Sequence, residues 1–172
     1  GQGGGQILKL AKLLTHESSI INHQLIVVAG MNRRLYNQLK KLSDKEPYDF
    51  HVFGYMENMP ELISASDVVV GKAGPNLLFE SIFCEKPFLA TGCLPGQEEG
   101  NLDFIKRENL GWVEENLPKA IKLLSSLSNP SNLKAALAEK LPNLKRIKAQ
   151  NFDAPQKAAQ AIISLLHSNP SS

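Results

Sequence analysis

Short apolar runs alternate with helical stripes along most of this chain. His23 to Val28 reads as a strand closed by Ala29-Gly30, and Phe50 to Phe53 as a second strand ending at Gly54. Between them, Asn32 to Ser43 places Leu35, Leu39 and Leu42 at helical spacing behind a polar face. Met59 to Ala65 predicts a short helix with Pro60 in its first turn, where a missing N–H does no harm. The pattern then predicts a strand at Val68–Val70, a helix from Pro75, a strand at Phe88–Ala90, a helix at Gln97–Glu108 and a short strand at Gly111-Trp112-Val113. Helices follow at Leu117–Leu127, Asn132–Lys140 and Pro155–His167. Leu25–Val28 and Val68–Val70 are apolar almost without interruption, as strands covered on both faces are. Strands separated by single helices imply right-handed crossovers, so the fold class is α/β: a parallel sheet with helices on both faces.

The chain opens on Gly1-Gln2-Gly3-Gly4-Gly5-Gln6, a glycine-rich turn leading into a helix at Ile7–Leu14. In a nucleotide-binding α/β fold such a turn follows a strand, and none precedes it here. The expectation is a piece of something larger. The turn lacks the third glycine and the downstream acidic residue of the dinucleotide fingerprint, and no Lys-Ser or Lys-Thr completes a P-loop. It reads either as a helix start whose backbone can approach a phosphate or as a frayed end.

Composition narrows the function classes. At 172 residues the chain makes about one domain, on a prior of roughly 150 residues each. We assign residues 1–168 to it and 169–172 to a disordered tail. The net charge of +2 is too small to argue for nucleic acid. Cys84 and Cys93 form no CxxC and read as reduced core thiols, which suits the cytoplasm. The four histidines are scattered, no serine elbow exists and no base–nucleophile pair stands out, so the sequence proposes neither a metal nor a catalytic residue. Ser131 to Gln150 carries Lys134, Lys140, Lys145, Arg146 and Lys148 against Glu139, which is either a face for anionic lipid or a solvated helix surface.

The chemistry concentrates in two helix starts. Ala73-Gly74-Pro75-Asn76 follows one apolar strand, and Pro95-Gly96-Gln97-Glu98, with Asn101 one turn on, follows the next. Helix starts at the carboxyl edge of a parallel sheet are where open α/β folds bind ligands, and their free N–H groups favour an anion. Glu80, leaning back toward its helix start, either accepts hydrogen bonds from a ribose diol or only complements the helix dipole. Gln97 and Glu98 either face sugar hydroxyls or form an ordinary acidic first turn.

Taken in order, the glycine-rich turn, Val28-Ala29-Gly30-Met31-Asn32-Arg33-Arg34-Leu35, Phe53-Gly54-Tyr55-Met56, Ser66-Asp67-Val68-Val69-Val70, Lys72-Ala73-Gly74-Pro75, Glu80, Pro95-Gly96-Gln97-Glu98 and Asn101 resemble the C-terminal half of glycosyltransferase family 28. The resemblance covers about Gly3 to Trp112 and is nearest to the branch of monogalactosyldiacylglycerol synthases and diacylglycerol glucosyltransferases. It implies the C-terminal, Rossmann-like half of a GT-B fold that binds a UDP-hexose. Gly4, Gly5 and Gln6 would approach the diphosphate, and backbone around Gly54, Tyr55 and Met56 would meet the uracil. Gly74 and Pro75 would form the second phosphate-facing turn, Glu80 would hold the ribose, and Gln97 and Glu98 the hexose. Gly30, Ala73, Asn76, Pro95, Gly96 and Asn101 complete the donor-binding set.

The implied reaction is inverting transfer to a lipid acceptor without a cofactor. The base and the membrane-facing acceptor site would lie in an N-terminal half or a partner chain. The implied place is cytoplasmic, at an anionic membrane surface in the peripheral reading. Two other classes stay open: a non-catalytic module working with a membrane partner, and an epimerase-like sugar-nucleotide enzyme.

Overall fold

The computed structural model describes residues 4–17, 23–45, 49–152 and 154–167. Gly1, Gln2, Gly3 and the expected tail at 169–172 lie outside them. The element order is α1 (Gly4–Thr15), β1 (Leu25–Val28), α2 (Arg33–Ser43), β2 (Phe50–Phe53), α3 (Met59–Ala65), β3 (Val69–Lys72), α4 (Pro75–Phe83), β4 (Phe88–Gly92), α5 (Glu99–Arg107), β5 (Gly111–Val113), α6 (Leu117–Leu127), α7 (Pro130–Phe152) and α8 (Ala154–His167). All strand pairs are parallel. Caps explain several boundaries: Asn32 Oδ1 accepts from Leu35 N at 2.9 Å to start α2, and Asn116 Oδ1 accepts from Lys119 N at 3.1 Å to start α6.

The strands form two sheets rather than the single one expected: β1–β2, and β3–β4–β5. Only β4 is buried along its whole length, whereas three of the four residues of β1 are half-buried. The reason is pairing. Among the described residues β1 bonds only to β2 and β3 only to β4, so each keeps one open edge.

Helix α1 ties the two sheets together. Its Ala11 packs with Val27, Ala29, Leu35, Leu39 and Phe50 in one core cluster. Its Leu14 meets Ile121 of α6, with Leu25 alongside. At its other end Gln6 Nε2 donates to Thr91 O of β4 at 2.6 Å. Twelve residues of helix span about 18 Å, so α1 runs from the carboxyl end of β4 to the amino end of β1. It is therefore antiparallel to both, and the carboxyl ends of the two sheets share one edge of the molecule. Gly4 and Gly5 lie inside α1, not in a turn before it.

A larger core joins β3 and β4 to α3, α4, α5 and α7 through Ile63, Val69, Leu78, Ile82, Phe88, Leu102, Ile105, Leu110, Leu144 and Ile147. It also explains why α7 continues past the expected end at Lys140 and through Pro142. A proline inside a helix costs about 3 kcal/mol. Burying Leu144 and Ile147 just beyond it returns roughly 1.5–3 kcal/mol each. No helix among the described residues is long and apolar enough to cross a membrane.

Candidate functional site

Four loops open on the shared carboxyl edge. The first two follow β1 and β2. Gly30 takes φ +58°, a conformation side chains resist, and this turns the chain from β1 toward the α2 start. Gly54 follows β2, and a Cβ there would lie 3.9 Å from Gly30 O, so the two turns touch. Around them opens a cavity of about 450 Å³ lined by Gly30, Met31, Arg33, Tyr36, Gly54 and Tyr55. Met31 is 81% and Tyr55 61% exposed, so the cavity carries an apolar and an aromatic side chain in open water. Met31, Arg33 and Tyr36 were not among the expected site residues. Their signal was the strand–Gly30–Asn32-cap sequence, which puts Arg33 and Tyr36 one turn apart on a single face.

The third and fourth loops follow β3 and β4, and side chains lock them together. Ala73 N donates to Gly92 O at 2.8 Å, continuing the ladder past the strand ends. Asn101 Nδ2, from the first turn of α5, donates to Ala73 O at 2.7 Å. Lys72 Nζ donates to Glu98 Oε1 at 2.6 Å, and Leu94 N donates to Glu98 Oε2 at 2.7 Å. The starts of α4 and α5 thus converge, as the sequence requires. Gly74 caps α4 without a side chain and Pro75 has no N–H, so the first-turn amides of Asn76 and Leu77 receive no capping oxygen from Gly74. Pro75 and Asn76 are exposed beside this opening, and Glu80 is half-buried one turn in.

Several expected residues sit otherwise than expected. Glu98 is 8% exposed and each of its carboxylate oxygens accepts a hydrogen bond within the chain, whereas Gln97 is exposed. Gln6 Nε2 donates to Thr91 O and Asn101 Nδ2 to Ala73 O, so Gln6 ties α1 to β4 and Asn101 ties α5 to the loop after β3. Pro95 and Gly96 are exposed in the loop after β4, where Gly96 N donates to Glu99 Oε1 at 3.3 Å. Met56 is half-buried below Tyr55 in sequence and does not line the cavity.

The basic stretch on α7 is largely used internally. Lys148 pairs with Glu85 at 2.7 Å and Arg146 with Glu108 at 2.8 Å. Lys140 is buried against Asn109, Glu139 and the Trp112 ring. Apart from Glu139, on α7 itself, those partners lie outside α7 and take three of the five cations away from any lipid face.

Carboxylate titration gives a testable consequence. The Lys72 ammonium, opposed by burial and helped by Leu94 N, holds the Glu98 carboxyl below the usual 4.5. Lys148 lowers Glu85, Arg146 and Arg107 lower Glu108, and Asn109 and Lys140 lower Glu139. Each folded-state value lies below the unfolded one. The stability these carboxylates give is therefore complete above the usual carboxylate range and is lost as pH falls through the lowered values. Urea denaturation should give a flat midpoint from about pH 7 to pH 5 and a falling one by about pH 3.5. A midpoint that rises on acidification would contradict these pairings.

Comparison with known proteins places this geometry. The chain belongs to glycosyltransferase family 28: residues 4–166 match the Glycosyltransferase family 28 C-terminal domain. It is 29% identical over 137 residues to the probable monogalactosyldiacylglycerol synthase 3 of Oryza sativa subsp. japonica, covering 77% of this chain and 27% of that protein. To monogalactosyldiacylglycerol synthase 3 of Arabidopsis thaliana it is 30% identical over 131 residues, 73% of this chain and 28% of the relative. It is also 27% identical over 122 residues to the processive diacylglycerol beta-glucosyltransferase of Staphylococcus carnosus, covering 71% and 31% of the two chains. The chain thus spans 27% to 31% of the length of these relatives. Among solved structures, the glycotransferase of kitacinnamycin superposes on 81% of this chain and 36% of its own, with a TM-score of 0.56 at 14% identity. The fold is the α/β C-terminal half of a GT-B glycosyltransferase.

Proposed function

We propose that this chain is the donor domain of a hexosyltransferase, which holds a UDP-hexose for inverting transfer to a diacylglycerol-type lipid. One observation carries the reading: the uncapped start of α4, the α5 start and the Gly30–Gly54 cavity lie along one edge of the molecule. A base in the cavity and a diphosphate at the α4 start match this division between an apolar, aromatic opening and free amides. The names of the relatives above supply the acceptor class.

Transfer leaves growing negative charge on the departing diphosphate. The amides of Asn76 and Leu77 and the α4 dipole are fixed beforehand where that charge develops, so they stabilise it without reorganising. The acceptor hydroxyl also needs a general base. In this reading the base and the lipid site belong to the protein beyond these residues, in an N-terminal acceptor domain or a partner chain. The chain alone then binds donor and transfers little. Its place is the cytoplasmic side of a membrane, with membrane contact made chiefly by the acceptor part.

Calorimetric titration of the full 172-residue chain tests the donor assignment. UDP is expected to bind with a Kd below about 1 mM, more tightly than uridine, with ATP not competing. No heat from UDP at millimolar concentration would overturn the assignment.

A further inference from the structure

Resting on the donor-domain reading, we infer that Lys72 is the cationic contact of the donor diphosphate and that Glu98 is a positioning residue that holds Lys72, not a contact to the sugar ring. The sequence suggests the opposite division, with Glu98 facing the hexose and Lys72 unassigned. Three observations reverse it.

The pair is asymmetric. The Glu98 side chain is 10% exposed and that of Lys72 is 42% exposed. The carboxylate is sealed in and the ammonium faces out. Glu98 is also held twice, by Lys72 Nζ at 2.6 Å and Leu94 N at 2.7 Å. Each oxygen already accepts one hydrogen bond and the side chain is only 10% exposed, so a sugar hydroxyl has little access to its remaining lone pairs. Lys72 has three N–H bonds, and among the described residues it donates one, to Glu98 Oε1. Two remain for an incoming anion.

The pair also stands at the right place. A Cβ on Gly74 would lie 3.6 Å from Glu98 Oε1 and 3.9 Å from Lys72 Cε. Both groups therefore border the gap over the residue that caps α4, where the free amides open. An unpaired carboxylate at that spot would repel a diphosphate. Lys72 set between them removes the repulsion and adds charge-assisted hydrogen bonds to phosphate oxygens. Leu94 N fixes the carboxylate, the carboxylate fixes the ammonium, and the ammonium meets the ligand without a search through rotamers.

The two assignments differ in what each variant changes. Lys72→Met is expected to weaken UDP binding by about 10-fold or more and to leave uridine within about 2-fold, since uridine has no phosphate to lose. Lys72→Met leaves Glu98 buried without its cation and could lower folding yield. The double variant Lys72→Met/Glu98→Gln removes both charges and is expected to show the same loss for UDP. In Glu98→Gln alone, affinities for UDP, UDP-glucose and UDP-galactose should change together, with their ratios kept. Calorimetry with these probes, each variant checked for an unchanged thermal melt, reads all of this. Wild-type-like UDP affinity in the double variant overturns the role of Lys72. A selective loss of the UDP-hexoses over UDP in Glu98→Gln overturns that of Glu98. Failure of the wild-type chain to bind UDP would instead remove the donor-domain reading underneath, which is a separate and distinguishable result.

Discussion

Alanine at Gly111 is expected to destroy the three-stranded sheet. Gly111 pairs directly with Phe88 in the β4–β5 register. A Cβ at this position would fall 2.0 Å from Phe88 O, 2.6 Å from Phe88 N and 2.7 Å from Phe88 C. All three atoms are backbone, so no rotamer change can clear them. Relief requires β5 to move away from β4, which breaks the bond from Phe88 N to Leu110 O at 3.2 Å and pulls fully buried Leu110 out of the core. Losses of this kind belong to the rare class above about 4 kcal/mol, so the variant should be largely unfolded or insoluble at room temperature. Urea denaturation of Gly111→Ala against wild type checks it. A change within about 1 kcal/mol would mean that β5 does not lie where it is described.

Phe88→Ala is the second large effect. Phe88 is fully buried in the one strand that is covered on both faces. Its ring sits in the core cluster that joins α3, α4, α5 and α7 to the sheet, 3.8 Å from where a Gly71 side chain would begin. Truncation removes the ring and leaves a hole that β4, hydrogen-bonded on both edges, cannot collapse to fill. The expected loss is about 3–5 kcal/mol, and Phe88→Leu should recover more than half of it. Equilibrium denaturation at matched m-value measures both. A loss under about 1 kcal/mol for alanine would contradict the packing of this core.

Much of this architecture is legible in the chain because its causes are local. The α3, α6 and β2 boundaries agree with the reading to the residue, since period, proline position and Asn116 act within one or two turns. The family resemblance is also local, carried by contiguous motifs, and the family match bears it out. What pattern does not encode is how separate elements meet. The division into two sheets depends on strand edges, which look alike in sequence whether or not they are paired. Gln6 and Thr91 are 85 positions apart, and Lys72 and Glu98 are 26 apart, so neither partnership shows in a window of residues. The same blindness made α7 read as a basic surface, because Glu85 and Glu108 lie on other elements. The helix expected to end at Lys140 runs on for a related reason: Pro142, a local helix breaker, is outweighed by the distant core that holds Leu144 and Ile147.

The central claim is that one edge of this fold receives a nucleoside diphosphate, base in the Gly30–Gly54 cavity and phosphates at the α4 start. Amide NMR of the full chain during titration with UDP tests it most directly. The account requires saturable shifts at Gly30, Gly54 and Tyr55, at Asn76 and Leu77, and around Leu94 to Gln97, with α8 unmoved. Shifts confined to other surfaces, or no shifts at millimolar UDP, would contradict it.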